Sequence, residues 1–434
     1  MKRAMFGLAV SAAVLSSSLQ AASIDDAVDA ITEDMIGWRH HLHENPELSN
    51  REFNTAAMVA EHLRSLGIED IYTDVAHTGV VGVLRGGKPG GAVALRADMD
   101  ALPVREMTGL PFASTATGEY LGATVPVMHA CGHDAHVAML MAAASVLSEM
   151  RDDLAGSVAF VFQPAEEGPP PGEDGGARMM LAEGLLEKAG NPSAIFGLHV
   201  WPGPAGELSY KSRGAMAAAD TVKITVTGRQ THGSSPWRGV DPIVVSAQIV
   251  NALQTIPSRQ LDITVAPSVL TIGKISGGTR HNIIPDEVEM LGTLRNFDTG
   301  VRAEMLERIE RTVTDVASSF GATASFEIQY SVPVTWNDPA LMDRMLPSLK
   351  KSSDLPLVER AVIMASEDFS YYQEEIPGMF FFLGINPEDI DGQVAPSNHS
   401  PFFRVNDAAL PTGVRSLVNV AVDYLAAEGD EDSQ

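Results

Sequence analysis

The chain has 434 residues, with 56 Asp and Glu against 30 Lys and Arg, a formal charge of −26, and 45 % hydrophobic residues. That length supports two domains, each with its own core. So large a negative surplus argues against nucleic acid and an anionic membrane surface as partners, because both are polyanions.

Residues 1–21 read as a secretory signal: Lys2 and Arg3 give a basic start, Ala4 to Leu15 an apolar centre, and Leu19-Gln20-Ala21 a small-residue cleavage site. The apolar run is too short for a stable membrane span. The expected mature protein is exported, to a periplasm or the extracellular medium. A helix is expected after Ser23, where Ile24, Val28, Ile31, Met35, Trp38 and Leu42 share one face. It closes on His40, His41 and His43 just before Pro46. Basic groups at a helix carboxyl end are favourable in themselves, so these histidines are left out of the site despite their metal-like spacing.

Three apolar runs then stop at ionisable residues. Ala92 to Arg96 leads to Asp98 and Asp100, Ser157 to Phe162 to Glu166 and Glu167, and Ala194 to Leu198 to His199. In an open, largely parallel sheet, ligands gather outside the carboxyl ends of the strands, so the three endings converge on one crevice. The cluster His129 to His136, ahead of the helical run Val137 to Met150, holds Cys131, the single cysteine of the chain. An intrachain disulfide is impossible, and a lone thiol in an exported protein is an oxidation hazard unless buried or coordinated. Thiolate and imidazole suit zinc-like metals, and Cys131 and His133 can reach one ion from a turn that opens a helix. Glu166 and Glu167 are either a solvated loop or a cation and proton-transfer site, since ionised carboxylates are costly to bury unpaired. The Cys/His cluster upstream favours the second reading.

A different texture runs from Asp220 to about Gln329. Thr221 to Thr227, Ser268 to Ile275 and Glu287 to Arg295 read as strands, and Asp241 to Ile256 and Arg302 to Phe320 as helices. Afterwards Met379 to Leu383 and the helix Leu410 to Ala427 return to the earlier style. The expected fold class is α/β, a mostly parallel sheet flanked by helices, with a smaller α+β sandwich inserted as a lid. The expected division is a signal over 1–21, a catalytic domain over 22–219 and 330–434, and the insertion over 220–329. Met139 to Met141 and Phe380 to Phe382 read as core, and Glu428 to Asp432 as a disordered, solvating tail.

Six separated stretches carry a family likeness: Arg96 to Pro103, His129 to His136, Gln163 to Gly168, Gly197-Leu198-His199, Ser366 to Phe369 and Asn398 to Pro401. Together they resemble the signatures of the aminoacylase and carboxypeptidase superfamily of co-catalytic metallopeptidases. More narrowly they resemble its amidohydrolase branch, with N-acyl amino acid amidohydrolases, hippurate hydrolases and auxin-conjugate hydrolases. The resemblance implies one or two divalent ions (zinc, manganese, cobalt or nickel) on Cys131, His133, Glu167, His199 and His399, with Glu166 as general base. It implies amide hydrolysis of an N-acyl amino acid or related conjugate. A carboxypeptidase or dipeptidase acting on short peptides is the rival enzyme. A non-catalytic binder of metal or acylated amino acids is the rival outside enzymes, and the free base Glu166 argues against it. Asp98 stands where the wider superfamily has a metal-binding histidine, so Asp98 and Asp100 are not assigned as ligands.

The stretch Gly228 to Trp237 resembles the family's lid motif, with Trp237 in place of a histidine and Arg229 and Gln230 in place of glycines. By that likeness His232 steadies the oxyanion, in a neighbouring subunit's site, while Asn282 and Arg295 grip the substrate carboxylate. An edge-strand salt bridge is the alternative for Arg295. A homodimer or higher homo-oligomer through the lid is also implied, with Thr221 to Thr227 as an exposed edge strand and Asp241 to Ile256 as contact surfaces.

Overall fold

The first helix, Ile24–Glu44, starts at a reciprocal cap. The Ser23 hydroxyl accepts from the Asp26 amide and the Asp26 carboxylate accepts from the Ser23 amide, which satisfies two amides left open at a helix start. The structure is a computed structural model and describes residues 23–389 and 394–431. The expected signal, residues 1–21, lies outside the described residues. Among those described, no helix is long and apolar enough to cross a membrane.

An eight-stranded sheet carries the larger part, in the spatial order Asp70–Val75, Gly79–Arg85, Ala155–Gln163, Lys88–Asp98, Ala194–Trp201, Gly378–Gly384, Leu208–Tyr210, Val358–Glu359. Its inner strands, from Ala155–Gln163 to Gly378–Gly384, pair in parallel, and antiparallel pairs at the margins make the whole sheet mixed. Successive residues of an inner strand serve opposite faces. Phe381 enters the core on one side, with Leu95 and Phe160, while Phe380 and Phe382 enter the core on the other. The helix His133–Glu149 is buried from His133 to Leu147, between the sheet, the first helix and the helix Leu410–Glu431. Met139 and Met141 are core, as expected.

The histidines at the end of the first helix join none of the groups that could hold a metal among the described residues, and that helix packs on the helix His133–Glu149. Only His41 is exposed. His43 is buried, with Nδ1 2.9 Å from Asp134 and Nε2 3.2 Å from Glu106, and His40 stacks on Phe112 and bonds Asp407. Burial opposes the His43 imidazolium, yet Asp134 and Glu106 push it up to about 9. Arg39, also buried, donates from Nε to Asp134 at 3.0 Å and from Nη1 to Asp407. Removing one member of such a buried pair strands a charge, so Arg39→Met is expected to cost about 3–5 kcal/mol of stability. A denaturation midpoint shifted by less than about 1 kcal/mol at constant slope would contradict that.

The chain enters a second sheet at Ala218 and leaves it at Val332, in the order Ser268–Gly277, Glu287–Asn296, Ala218–Thr227, Thr323–Val332, all antiparallel. The helices Pro242–Leu253 and Thr299–Ser319 give it a core of its own, which holds Val222, Ile224, Val226, Ile249 and Ile309. Thr221 to Thr227 is not an edge strand, because it pairs on both sides. Its alternation reports that one face is covered and says nothing about its neighbours within the sheet. The tail also differs: the last helix runs through Glu431, and Glu428 accepts bonds from Ser193 and Tyr424 instead of lying free.

Candidate metal centre

The inner strands deliver their chemistry at one margin, past Asp98, past Gln163 and at His199. There the helix His133–Glu149 begins from Gly132, at φ +93°, where a Cβ would stand 2.3 Å from Val200 Cγ2. Only glycine fits, and it sets Cys131 and His133 on either side of a tight turn against the strand that bears His199. His133 Nδ1 lies 3.2 Å from Asp100, leaving a buried Nε2 with no partner. His199 Nδ1 lies 2.7 Å from the Val200 carbonyl, and its Nε2 is 3.5 Å from Cys131 Sγ. Both bonds assign the ring proton to Nδ1, so each Nε2 presents a lone pair to the crevice.

The acid pair is held through the backbone. Glu52 accepts from the Ala165 amide at 2.9 Å, and the two oxygens of Asp100 accept from the Glu166 and Glu167 amides, each at 3.1 Å. Three successive amides are thus fixed by two buried acids, around Ala165 in the left-handed region at φ +51°. His399, at φ +69°, anchors its own amide on the Ala130 carbonyl at 2.8 Å. Its Nε2 lies 2.9 Å from Glu167 Oε1 without the alignment of a hydrogen bond, as for two donors turned toward one ion. Asn398 ties that loop to the Cys131 carbonyl at 3.1 Å.

All five expected ligands come together. Cys131 groups with His133 and His199, and again with Glu167 and His399, each set having ligand atoms within 4.8 Å of one another. One thiolate shared by two sets describes a pair of neighbouring ion positions. The electrostatics fit a cation. Burial first, then Glu167, Glu166 and Asp98, push the Cys131 thiol well above its ordinary value, so its thiolate needs a positive partner. Burial pulls His133 down, but Asp98 and Asp100 outweigh it and raise it to about 10, so without an ion Nε2 carries a second proton, which a bound metal must displace to use that lone pair. His199 is driven well below its usual value by burial and by His136, and stays the neutral imidazole that a metal binds.

Asp98 and His136 also approach His133, but their atoms are engaged. Asp98 lies 2.5 Å from His136 Nδ1 and 2.8 Å from Arg96 Nη1, and His136 Nε2 accepts from the Val200 amide at 2.8 Å. Arg96 continues to Glu367 at 3.0 Å and Asp368 at 3.1 Å. These groups brace the ligands from behind. Glu52, His136 and Asn398 were not singled out from the sequence. Asn398 stands beside His399 in a motif and was within reach, whereas nothing local to Glu52 points to it.

Arg295 sits in the inserted sheet, His232 in a separate two-stranded ladder of Thr231–His232 with Ile283–Ile284, and Asn282 in the turn before Ile283; among the described residues no hydrogen bond or ion pair joins them to the metal-side residues. His232 is exposed, and its Nδ1 accepts from the Ser234 amide at 3.1 Å, which places the proton on Nε2, the donor an oxyanion needs. The Asn282 carbonyl backs the Gly233 amide at 2.8 Å, so these two positions travel together. Arg295 pairs across with Ala219, at the entry end of the sheet. It forms no ion pair among the described residues, its Nη1 is unpartnered, and its strand is interior, so the edge salt bridge is not what is found. From Glu287 to Arg295 the strand spans roughly 25 Å at about 3.3 Å per residue, so Asn282 and Arg295 lie at opposite ends of the sheet. They cannot grip one carboxylate within a single chain.

The model of peptidase family M20/M25/M40 matches residues 94–423. The chain is 41 % identical over 399 residues to thermostable carboxypeptidase 2 of Saccharolobus solfataricus, covering 92 % of this chain and 97 % of that one. It is 37 % identical over 384 residues to the N-acetyl-L-cysteine deacetylase of Bacillus subtilis, covering 88 % of this chain and 86 % of that one. The crystal structure of the Bacillus subtilis YXEP protein, a dinuclear metal-binding M20 peptidase, superposes with a TM-score of 0.76 at 33 % identity, over 92 % of this chain and 99 % of that one. With a donor set built for divalent metal and likeness along nearly its whole length, the chain belongs to peptidase family M20/M25/M40, a family of metal-dependent hydrolases.

Proposed function

We propose that this protein hydrolyses the amide bond of N-acyl amino acids, with Glu166 as the general base. Divalent ions on Cys131, His133, Glu167, His199 and His399 would polarise the scissile carbonyl and acidify a water. Glu166 takes the proton of that water and returns it to the leaving nitrogen. The observation that carries this reading is the state of Glu166. Its side chain is 8 % exposed, its Oε2 lies 3.8 Å from His133 Nε2, and among the described residues no protein donor bonds its carboxylate. Burial, then Glu367 and Glu167, raise its proton affinity, as a base requires. A binding protein has no use for such a group.

An amide-conjugate substrate is favoured by relatives that deacylate, and a peptide substrate by the carboxypeptidase relative. A panel of N-acetyl, N-benzoyl and longer-chain acyl amino acids beside dipeptides separates the two, after metal removal and again with zinc, manganese, cobalt or nickel restored. Activity on dipeptides alone would replace the amidohydrolase reading by the peptidase one.

Export is supported by the basic start and apolar run of residues 1–21. A lid-mediated homodimer is supported by the separation of Asn282 and His232 from Arg295, which a second chain resolves by lending the first two in trans. The test mixes inactive His232→Ala with inactive Glu166→Gln under subunit exchange. Activity is expected to return in the hybrid, where one site has both groups. No recovery despite proven exchange would confine His232 to its own chain.

A further inference from the structure

A second cleft, of about 310 Å³, lies at the far margin of the larger sheet, where the strands Leu208–Tyr210 and Val358–Glu359 run in parallel. Alternate residues of the two segments line it: Glu207 and Ser209 from one, Val358, Arg360 and Val362 from the other. Glu359 pairs with Tyr210, which sets Arg360 level with Lys211, four residues beyond Glu207. The one cation and the one anion of the lining are thereby held apart. Among the described residues neither side chain has a hydrogen-bond or ion-pair partner, whereas the neighbouring Lys211 and Glu359 satisfy each other at 2.7 Å.

Arg360 is held by aromatic faces rather than by acceptors. Its guanidinium carbon lies 4.4 Å from the centre of the Phe382 ring and 5.4 Å from that of Trp201, and its Nε is buried with no partner. Stacking of this kind orients the planar fork and leaves its donors open. Burial pulls the group down to about 10, against Glu207, which pulls it up, so it keeps its charge at neutral pH. A partly desolvated cation with open donors gains from an acceptor that enters the cleft.

A carboxylate matches the Arg360 fork, an ammonium matches Glu207, and Trp201, Val358 and Val362 offer apolar surface to a side chain. An anion alone would meet Glu207 and a cation alone would meet Arg360, so the lining favours a molecule that carries both charges. Trp201 also lines the metal crevice, beside Cys131 and His199, and the segment after Arg360 reaches that crevice at Ala365. The hydrolysis proposed above would release an amino acid next to the second cleft. We propose that this cleft binds a free α-amino acid with an apolar side chain, its carboxylate on Arg360 and its ammonium on Glu207. The source of that ligand rests on the amidohydrolase reading, whereas its recognition does not.

The test is a calorimetric titration of the full metal-loaded protein with L-leucine, with leucinamide, which lacks the carboxylate and stands for the amino end of a peptide, and with 4-methylpentanoate, which lacks the ammonium. Leucine is expected to bind, and each analogue to bind at least about tenfold more weakly, the scale of a lost hydrogen bond to a charged group. Arg360→Gln and Glu207→Gln are each expected to weaken leucine by at least about tenfold while kcat/KM for N-acetylglycine stays within about twofold of the parent. Leucine held at the metal instead is untouched by either substitution, so an affinity within about twofold of the parent in both folded variants overturns the site, as does a parent that does not bind leucine. Leucinamide bound as tightly as leucine overturns the free amino acid as ligand. A parent that binds leucine as expected and cleaves no acyl conjugate with any of the four metals overturns the amidohydrolase reading and leaves the site standing.

Discussion

Glu166→Gln is expected to lower turnover by at least about 100-fold while fold and metal content stay at the parent level. The amide keeps the shape of the side chain and cannot accept a proton from water. The loop does not depend on that side chain, since Glu52 and Asp100 hold it by the amides of Ala165, Glu166 and Glu167. The proposed metal ligands are other residues, so metal content is expected to stay level. The measurement pairs steady-state kinetics with metal analysis of the same sample. A variant within about tenfold of the parent would show that another group takes the proton.

Cys131→Ser is expected to weaken metal binding at least about 10- to 100-fold, the loss seen when only an outer hydrogen-bond partner of a ligand is removed. Cys131 belongs to both donor sets, so both ion positions lose a donor at once. Serine places a neutral hydroxyl where the thiolate had balanced the cation. The native protein offers an independent readout. A thiol reagent is expected to modify Cys131 much faster after metal removal than before, because a coordinated sulfur has no free pair to attack with. Equal rates in the two forms would take Cys131 out of the ligand set.

What the sequence made legible was chemistry that sits at the ends of periodic elements. Asp98, Glu166, Glu167 and His199 each follow an apolar run, and those runs are parallel neighbours with their carboxyl ends together. Gly132 between Cys131 and His133 kept that pair in one short word. Contacts between distant segments were not legible. Glu52 reaches Ala165 across 113 positions, and His43 reaches Asp134 across 91, with no local pattern to announce either. Periodicity gives the faces of a strand and not its neighbours, so Thr221 to Thr227 was read as an edge and found in the interior. The likeness that grouped Asn282 with Arg295 carried no length, and the extended strand between them supplies it.

The pairing of Ala219 with Val332 puts the entry and exit of the second sheet on adjacent strands, and all five proposed metal ligands lie outside the segment between them. That makes residues 218–332 a cassette on a two-rung ribbon. Its self-contained core means that a unit from another member of the family can be grafted at those two rungs without disturbing the donors. Evolution and engineering then share one handle: the inserted unit can be exchanged as a block, while the proposed metal donors stay with the host.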